Sequence, residues 1–245
     1  MNQVVLDSIF QNLLDEYKPQ GWWPLTDLLQ KNSDNDLKQR GYHPGDYSAS
    51  FTSNQRFEIC IGAILTQNTT WNQVEKIIMD LKDNHWLNSQ NMDRVDVGEL
   101  KQVIMPCGYY NQKALRIKEF TEFFIQLGDR LPDREELLKI WGIGPETADS
   151  ILLYAFNQPY FVVDAYLNRI LSRVFNQALG DYNEIQDTLH QMYEGMERVE
   201  RVAFFNEFHS LLVVHGKNVC QKRPNCLKCV LVDLCNYNLI WSANG

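Results

Sequence analysis

The stretch that decides the fold runs Leu137-Leu138-Lys139-Ile140-Trp141-Gly142-Ile143-Gly144-Pro145-Glu146-Thr147-Ala148-Asp149-Ser150, continues as an apolar run, and closes on Val162-Val163-Asp164. Apolar residues at 137, 138, 140 and 141 predict a short amphipathic helix. Gly142 and Gly144 bracket Ile143 and permit a turn with unusual φ. Pro145 suits the first turn of a second helix, where its missing N–H costs nothing. That helix carries Ala148, Ile151, Leu152, Ala155 and Phe156 on one face. The reading is helix, Gly-x-Gly hairpin, helix over 137–153. N–H groups at the start of the second helix form an anion site, and a DNA backbone phosphate is a natural occupant.

Working outward, periodicity predicts helices over 4–17, 57–67, 74–81, 99–105 and 111–127, with Pro132-Asp133 opening the first hairpin helix. Further helices are expected over 165–175, 183–194 and 198–214. No strand-like alternation of useful length is present, so the expected fold is all-α. Residues 26–56 are rich in Asn, Asp, Ser, Gln and Gly and read as a surface insertion with little regular structure. His43 within it reads as a turn residue. The adjacent Trp22 and Trp23 read, on composition alone, as core plugs.

Cys220, Cys226, Cys229 and Cys235 form C-x5-C-x2-C-x5-C. Four thiols in so short a span fold round one centre, and zinc accepts four sulfurs. Disulfides are disfavoured in a reducing compartment. Cys60 and Cys107 lie in apolar or turn settings and read as inert thiols.

The hairpin, the aspartate beyond it and the cysteine loop together resemble the helix-hairpin-helix DNA glycosylases of the endonuclease III superfamily. The matching residues are Gly-Ile-Gly-Pro-Glu-Thr-Ala at 142–148, Val-Val-Asp-Ala-Tyr at 162–166 and the four cysteines. The resemblance implies two lobes with a DNA groove between them. One is a central lobe over 57–158. The other joins 1–25 to 159–245 and carries the cluster loop at 220–235. It implies a [4Fe–4S] cluster rather than zinc, although the first cysteine gap is one residue shorter than the family pattern. The loop's Lys222 and Arg223 would then meet phosphate.

The resemblance also assigns roles. Asp164 becomes the carboxylate that stabilises the oxocarbenium-like state and activates water. It also reads as the N-cap of the helix from Ala165, and the two roles are compatible. Bifunctional members carry a lysine four residues after the first hairpin glycine, where this chain has Glu146. A carboxylate cannot form a Schiff base, so a monofunctional glycosylase is expected. Gly142, Gly144 and Thr147 would offer N–H groups to phosphate. Carbonyls of Leu138, Ile140 and Ile143 would hold a monovalent cation, K+ or Na+.

Trp22-Trp23-Pro24, Gln67-Asn68-Thr69, Trp71 and 110–114 look like the 3-methyladenine glycosylase III branch. Carried over, Trp22, Trp23, Pro24 and Trp71 line the base pocket, and Gln67 fills the gap left by the flipped base. Aromatic faces suit a cationic alkylpurine. One alternative is an endonuclease III-like glycosylase and abasic lyase acting on oxidised pyrimidines, with Lys113 or Lys139 as substitute amine. Another is a non-catalytic iron–sulfur protein that binds damaged DNA.

Composition bounds these readings. A chain of 245 residues can hold one large or two modest domains. The net charge of −8 argues against broad non-specific DNA affinity, so binding must rest on local patches. Lys217, Lys222, Arg223 and Lys228 form one, with no acid between them. Nothing resembles a signal peptide, and no segment is long enough to span a membrane. A soluble, cytoplasmic monomer is expected, nucleoid-associated when on double-stranded DNA containing damaged bases.

Overall fold

The computed structural model describes residues 1–47 and 50–237, so expectations touching 48–49 and 238–245 lie outside the described residues. The protein is all-helical, with no strand among the described residues. In chain order the helices are α1 (Gln3–Tyr17), α2 (Asp36–Gln39), α3 (Ser53–Leu65), α4 (Trp71–Asp83), α5 (Ser89–Arg94), α6 (Val97–Ile104), α7 (Tyr110–Leu127), α8 (Arg134–Leu138), α9 (Pro145–Ser150), α10 (Ala165–Phe175), α11 (Tyr182–Met192) and α12 (Arg198–Asn218). A π-helical turn, Ile151–Ala155, continues α9. No helix among the described residues is long and apolar enough to cross a membrane.

The chain divides into two compact units, Met1–Trp22 with Pro159 onward, and Trp23–Gln158. The break falls after Trp22, so the expected 1–25 segment is split, and Trp23 and Pro24 belong to the second unit. In the first unit α12 packs on α1 and α10. It is buried from Phe205 to Val213, polar Asn206, Glu207, His209 and Ser210 included, so no single apolar stripe marks it and its periodicity is weak. Phe161, Phe205, Phe208, Leu6, Ile9 and Leu13 are fully buried in that unit, with Phe161 packed edge-on against Phe205 and Phe208. In the second unit α3 is buried from Phe57 to Leu65 and packs on the π turn, α7 and α4. Each such apolar side chain stabilises by roughly 1.5–3 kcal/mol.

Local signals start the helices near their predicted positions. Asp133 caps α8 in a capping box with Glu136, and Asp181 caps α11 with Glu184. α3 begins at Ser53, earlier than predicted, because Thr52 and Gln55 form a capping box inside the supposed insertion. The first hairpin helix ends at Leu138, so Ile140 and Trp141 belong to the turn.

The insertion itself is tied down. Glu58 accepts from the Thr26 N–H at 2.7 Å and from its hydroxyl at 2.8 Å. Arg40 pairs with Glu75 through two bonds, and Lys82 Nζ donates to the Thr26 carbonyl. Thr26–Leu28 forms a 3₁₀ turn and Asp36–Gln39 a short helix. These anchors come from residues 30 or more positions away, which no local pattern announces. His43 closes a turn, bonded to the carbonyls of Asp46 and Trp23.

Candidate active site

Asp164 sits where the extended link 157–164 meets α10. It is buried at 9 % exposure, and Oδ1 accepts from the Leu167 N–H at 2.7 Å. That is the N-cap bond, and it fixes the carboxylate against the helix start. Oδ2 lies 3.6 Å from His209 Nε2 on α12, an ion pair when the imidazole is protonated. The imidazole also meets the half-buried Trp22 edge to face, with centroids 5.8 Å apart at 89°. Trp22 is held by α12 as well, since Asn206 Nδ2 donates to its carbonyl at 2.9 Å. Glu207 accepts from the Gln20 N–H at 2.7 Å and from the Gly21 N–H. Asp164, His209 and Trp22 thus form one contiguous group, and periodicity placed no role on His209.

The hairpin lies in the second unit. Gly142 has φ +80°, a conformation in which a side chain is strained, and a Cβ there would lie 1.9 Å from Arg116 Nε. Arg116 stacks on the exposed Trp141 at 5.0 Å and donates to Gln67 Oε1 at 2.6 Å. Gln67 Nε2 donates to the Gly142 carbonyl at 3.0 Å and to Thr147 Oγ1 at 2.9 Å. Gln67 therefore binds the hairpin in this structure. The Ile140 carbonyl accepts the Ile143 N–H at 3.1 Å, closing the turn. Arg134 and the fully buried Asp149 clamp α8 to α9 through two bonds of 2.7 and 3.1 Å. Glu146 is exposed in the first turn of α9, which favours an acid.

Lys113 is corrected as a substitute amine. It is 1 % exposed, and Nζ donates to the Leu65 and Cys107 carbonyls and to Thr69 Oγ1. Burial lowers its pKa, yet all three donors are spent within the core. Lys139 is exposed. Burial also raises the thiols of Cys60 and Cys107, which keeps them protonated.

Trp23 is buried, edge-on to Trp71 at 5.3 Å and to Tyr154 of the π turn at 5.2 Å. Gly62 makes room for it, since a Cβ there would come within 2.9 Å of the indole nitrogen. Trp23, Pro24 and Trp71 line a cavity of about 230 Å³ together with Glu58, Arg40 and Ile78. The buried indole N–H of Trp71 has no hydrogen-bond partner among the described residues. The structure thus brings three of the four expected pocket residues together, and sets Trp22 against His209.

Burial pushes Glu58 and Glu207 up to about 7, against the hydrogen bonds that favour their ionised forms. A carboxyl raised in the folded state contributes stability that is complete below its unfolded value and is lost as pH rises through its folded value. The loss therefore runs from about pH 4.5 to about pH 7, and amounts to roughly 3 kcal/mol per group. Glu58→Gln and Glu207→Gln should each flatten the decline in melting temperature across that window. A decline of unchanged slope in both variants contradicts the assignment.

Cys220, Cys226, Cys229 and Cys235 are free thiols in the first unit. Burial first, and then neighbouring thiols, raise Cys226, and burial likewise raises Cys229 to about 11. Arg173 Nη1 donates to Cys220 Sγ at 3.1 Å, and His215 Nε2 lies 3.4 Å from Cys229 Sγ. Among the described residues no three His, Cys, Asp or Glu side chains come close enough to hold one metal ion. Lys222 and Arg223 are exposed in this loop, and the Lys222 carbonyl accepts from Arg173.

Among the proteins similar to this chain are DNA repair enzymes. The family described as HhH-GPD superfamily base excision DNA repair protein matches residues 61–194. A Methanocaldococcus jannaschii protein described as a DNA repair glycosylase is 35 % identical over 241 residues, covering 93 % of this chain and 94 % of its own. Endonuclease III of Sulfolobus acidocaldarius is 30 % identical over 193 residues, covering 75 % and 82 %. Among solved structures, a non-covalent endonuclease III–DNA complex has the same fold, with a TM-score of 0.72 at 21 % identity and 99 % of both chains covered. The Helicobacter pylori 3-methyladenine DNA glycosylase bound to 1,N6-ethenoadenine aligns with a TM-score of 0.64 at 25 % identity, covering 88 % and 96 %. The chain belongs to the HhH-GPD superfamily of base excision DNA repair proteins and is a DNA N-glycosylase.

Proposed function

We propose that this glycosylase removes alkylated purines of the 3-methyladenine type from double-stranded DNA by hydrolysis, leaving an abasic site. The observation that carries the reading is the aromatic wall formed by Trp23 and Trp71 with Pro24 around the cavity. An alkylated purine is cationic, and stacked indoles attract it more than they attract a neutral base. We assign Trp22 to base recognition too, as the stacking face beside His209. The likeness to a 3-methyladenine glycosylase supports the substrate class.

Asp164 acts as the carboxylate facing the sugar, where it stabilises positive charge and activates water. A cationic base leaves readily, so no strong general acid is required. Glu146 replaces the amine that strand cleavage needs. Gly142, Gly144 and Thr147 offer N–H groups to a backbone phosphate, and carbonyls of Leu138, Ile140 and Ile143 hold K+ or Na+. Lys222 and Arg223 make a second phosphate contact. Gln67 fills the vacated stack, which requires it to release its three hydrogen bonds to Gly142, Thr147 and Arg116.

The four cysteines hold a [4Fe–4S] cluster. The C-x5-C-x2-C-x5-C spacing, close to that of the endonuclease III cluster loop, supports this reading over a single zinc. Its chemistry here is structural, pinning the loop that carries Lys222 and Arg223. Purified protein should show broad visible absorption with iron and sulfide in the ratio of that cluster, and Cys226→Ser should lose both. Colourless protein carrying zinc would refute the assignment.

The test of function is release of free 3-methyladenine from alkylated duplex DNA, with borohydride present in a parallel reaction. Expected are base release, an abasic strand left uncut, and no trapped protein–DNA adduct. The identity to an endonuclease III favours a second reading, excision of oxidised pyrimidines with strand cleavage. That reading requires a trapped adduct, and with Lys113 buried the exposed Lys139 is its candidate amine.

A further inference from the structure

We propose that His209 is a positioning residue for excision, holding the second oxygen of Asp164 in the plane that the reaction uses. The inference rests on the reading of Asp164 as the acting carboxylate. Its cap bond to the Leu167 N–H fixes Oδ1 alone, and a carboxylate anchored through one oxygen can still rock about its terminal torsion. His209 Nε2 faces the other oxygen at 3.6 Å, with both side chains under a tenth exposed. That separation is longer than a hydrogen bond, and such gaps close when substrate tightens a site.

The imidazole has little room to turn away. Trp22 packs against it in an edge-to-face arrangement at 5.8 Å. The same stretch of α12 holds the Trp22 segment, through Asn206 on the Trp22 carbonyl and Glu207 on the Gln20 N–H. One stretch of helix therefore sets a stacking indole, an imidazole and a carboxylate in series. A base stacked on Trp22 bears on His209, and His209 bears on Asp164. The carboxylate is then held most firmly while a base lies on Trp22, which is the moment at which its orientation counts.

The experiment uses the full chain and a duplex carrying one alkylated purine. Single-turnover excision rate, lesion-DNA Kd and melting temperature are measured for wild type, His209→Ala, His209→Gln and Asp164→Asn. His209→Ala should lose roughly 10²-fold in rate, the scale of a small misplacement of a reacting group, with Kd changed by less than about threefold. Added imidazole should restore part of that rate. His209→Gln, which keeps a donor, should stay within about tenfold of wild type. The proposal fails if His209→Ala excises at the wild-type rate. It also fails if rate, affinity and melting fall together and neither imidazole nor Gln recovers the rate, for then His209 only packs. An active Asp164→Asn would instead remove the reading of Asp164, and the role of His209 with it.

Discussion

Asp164→Asn is expected to lower base excision by about 10²–10⁴-fold while leaving lesion-DNA affinity and melting temperature unchanged. The separation follows from the two jobs of one side chain. Oδ1 caps α10 through the Leu167 N–H, and Asn is as good an N-cap as Asp, so the helix start survives. What disappears is the negative charge that offsets the positive charge developing on the sugar. Asp164→Ala makes the contrast, losing the cap as well and costing about 1 kcal/mol of stability. Single-turnover kinetics on a lesion duplex, with thermal melting of the same preparations, separates these effects. Wild-type excision by the Asn variant excludes Asp164 from the chemistry.

Gly142→Ala should destabilise the protein by about 2 kcal/mol or more and weaken DNA binding at least about tenfold. Two costs combine. The residue has φ +80°, where a side chain is strained, and its Cβ would fall 1.9 Å from Arg116 Nε. Arg116 cannot retreat cheaply, because it bonds Gln67 and stacks on Trp141. Melting should drop by roughly 4–8 °C for a chain of this size. The double variant with Arg116→Ala should recover part of that loss, a non-additivity expected of side chains in contact. Equal melting of wild type and Gly142→Ala would show that the turn accommodates a methyl group, and the clash would then carry no weight.

The bounds of α10 and the start of α1 were legible because both are local matters. Apolar spacing selects the helix, and an Asn or Asp side chain stops or starts it within three residues. α5 was missed because Ser89–Arg94 is short and polar. α12 extends beyond the predicted 214 because a helix buried on most sides shows no periodic stripe from which to read an end.

The chain's own order determined the all-helical class, the Gly-x-Gly bend, the aspartate that caps the next helix and the cysteine spacing. Each is set by residues close in sequence, through backbone permissiveness, capping and short-range apolar repeats. Tertiary structure decided which of the candidate side chains are available. It buried Lys113 among carbonyls, turned Gln67 onto the hairpin, divided Trp22 from Trp23 between the two units, and set His209 against Asp164. Apart from the Trp22–Trp23 break and the Lys113–Cys107 bond, those outcomes depend on partners 44 or more residues distant along the chain, and no window of local sequence contains both members of such a pair.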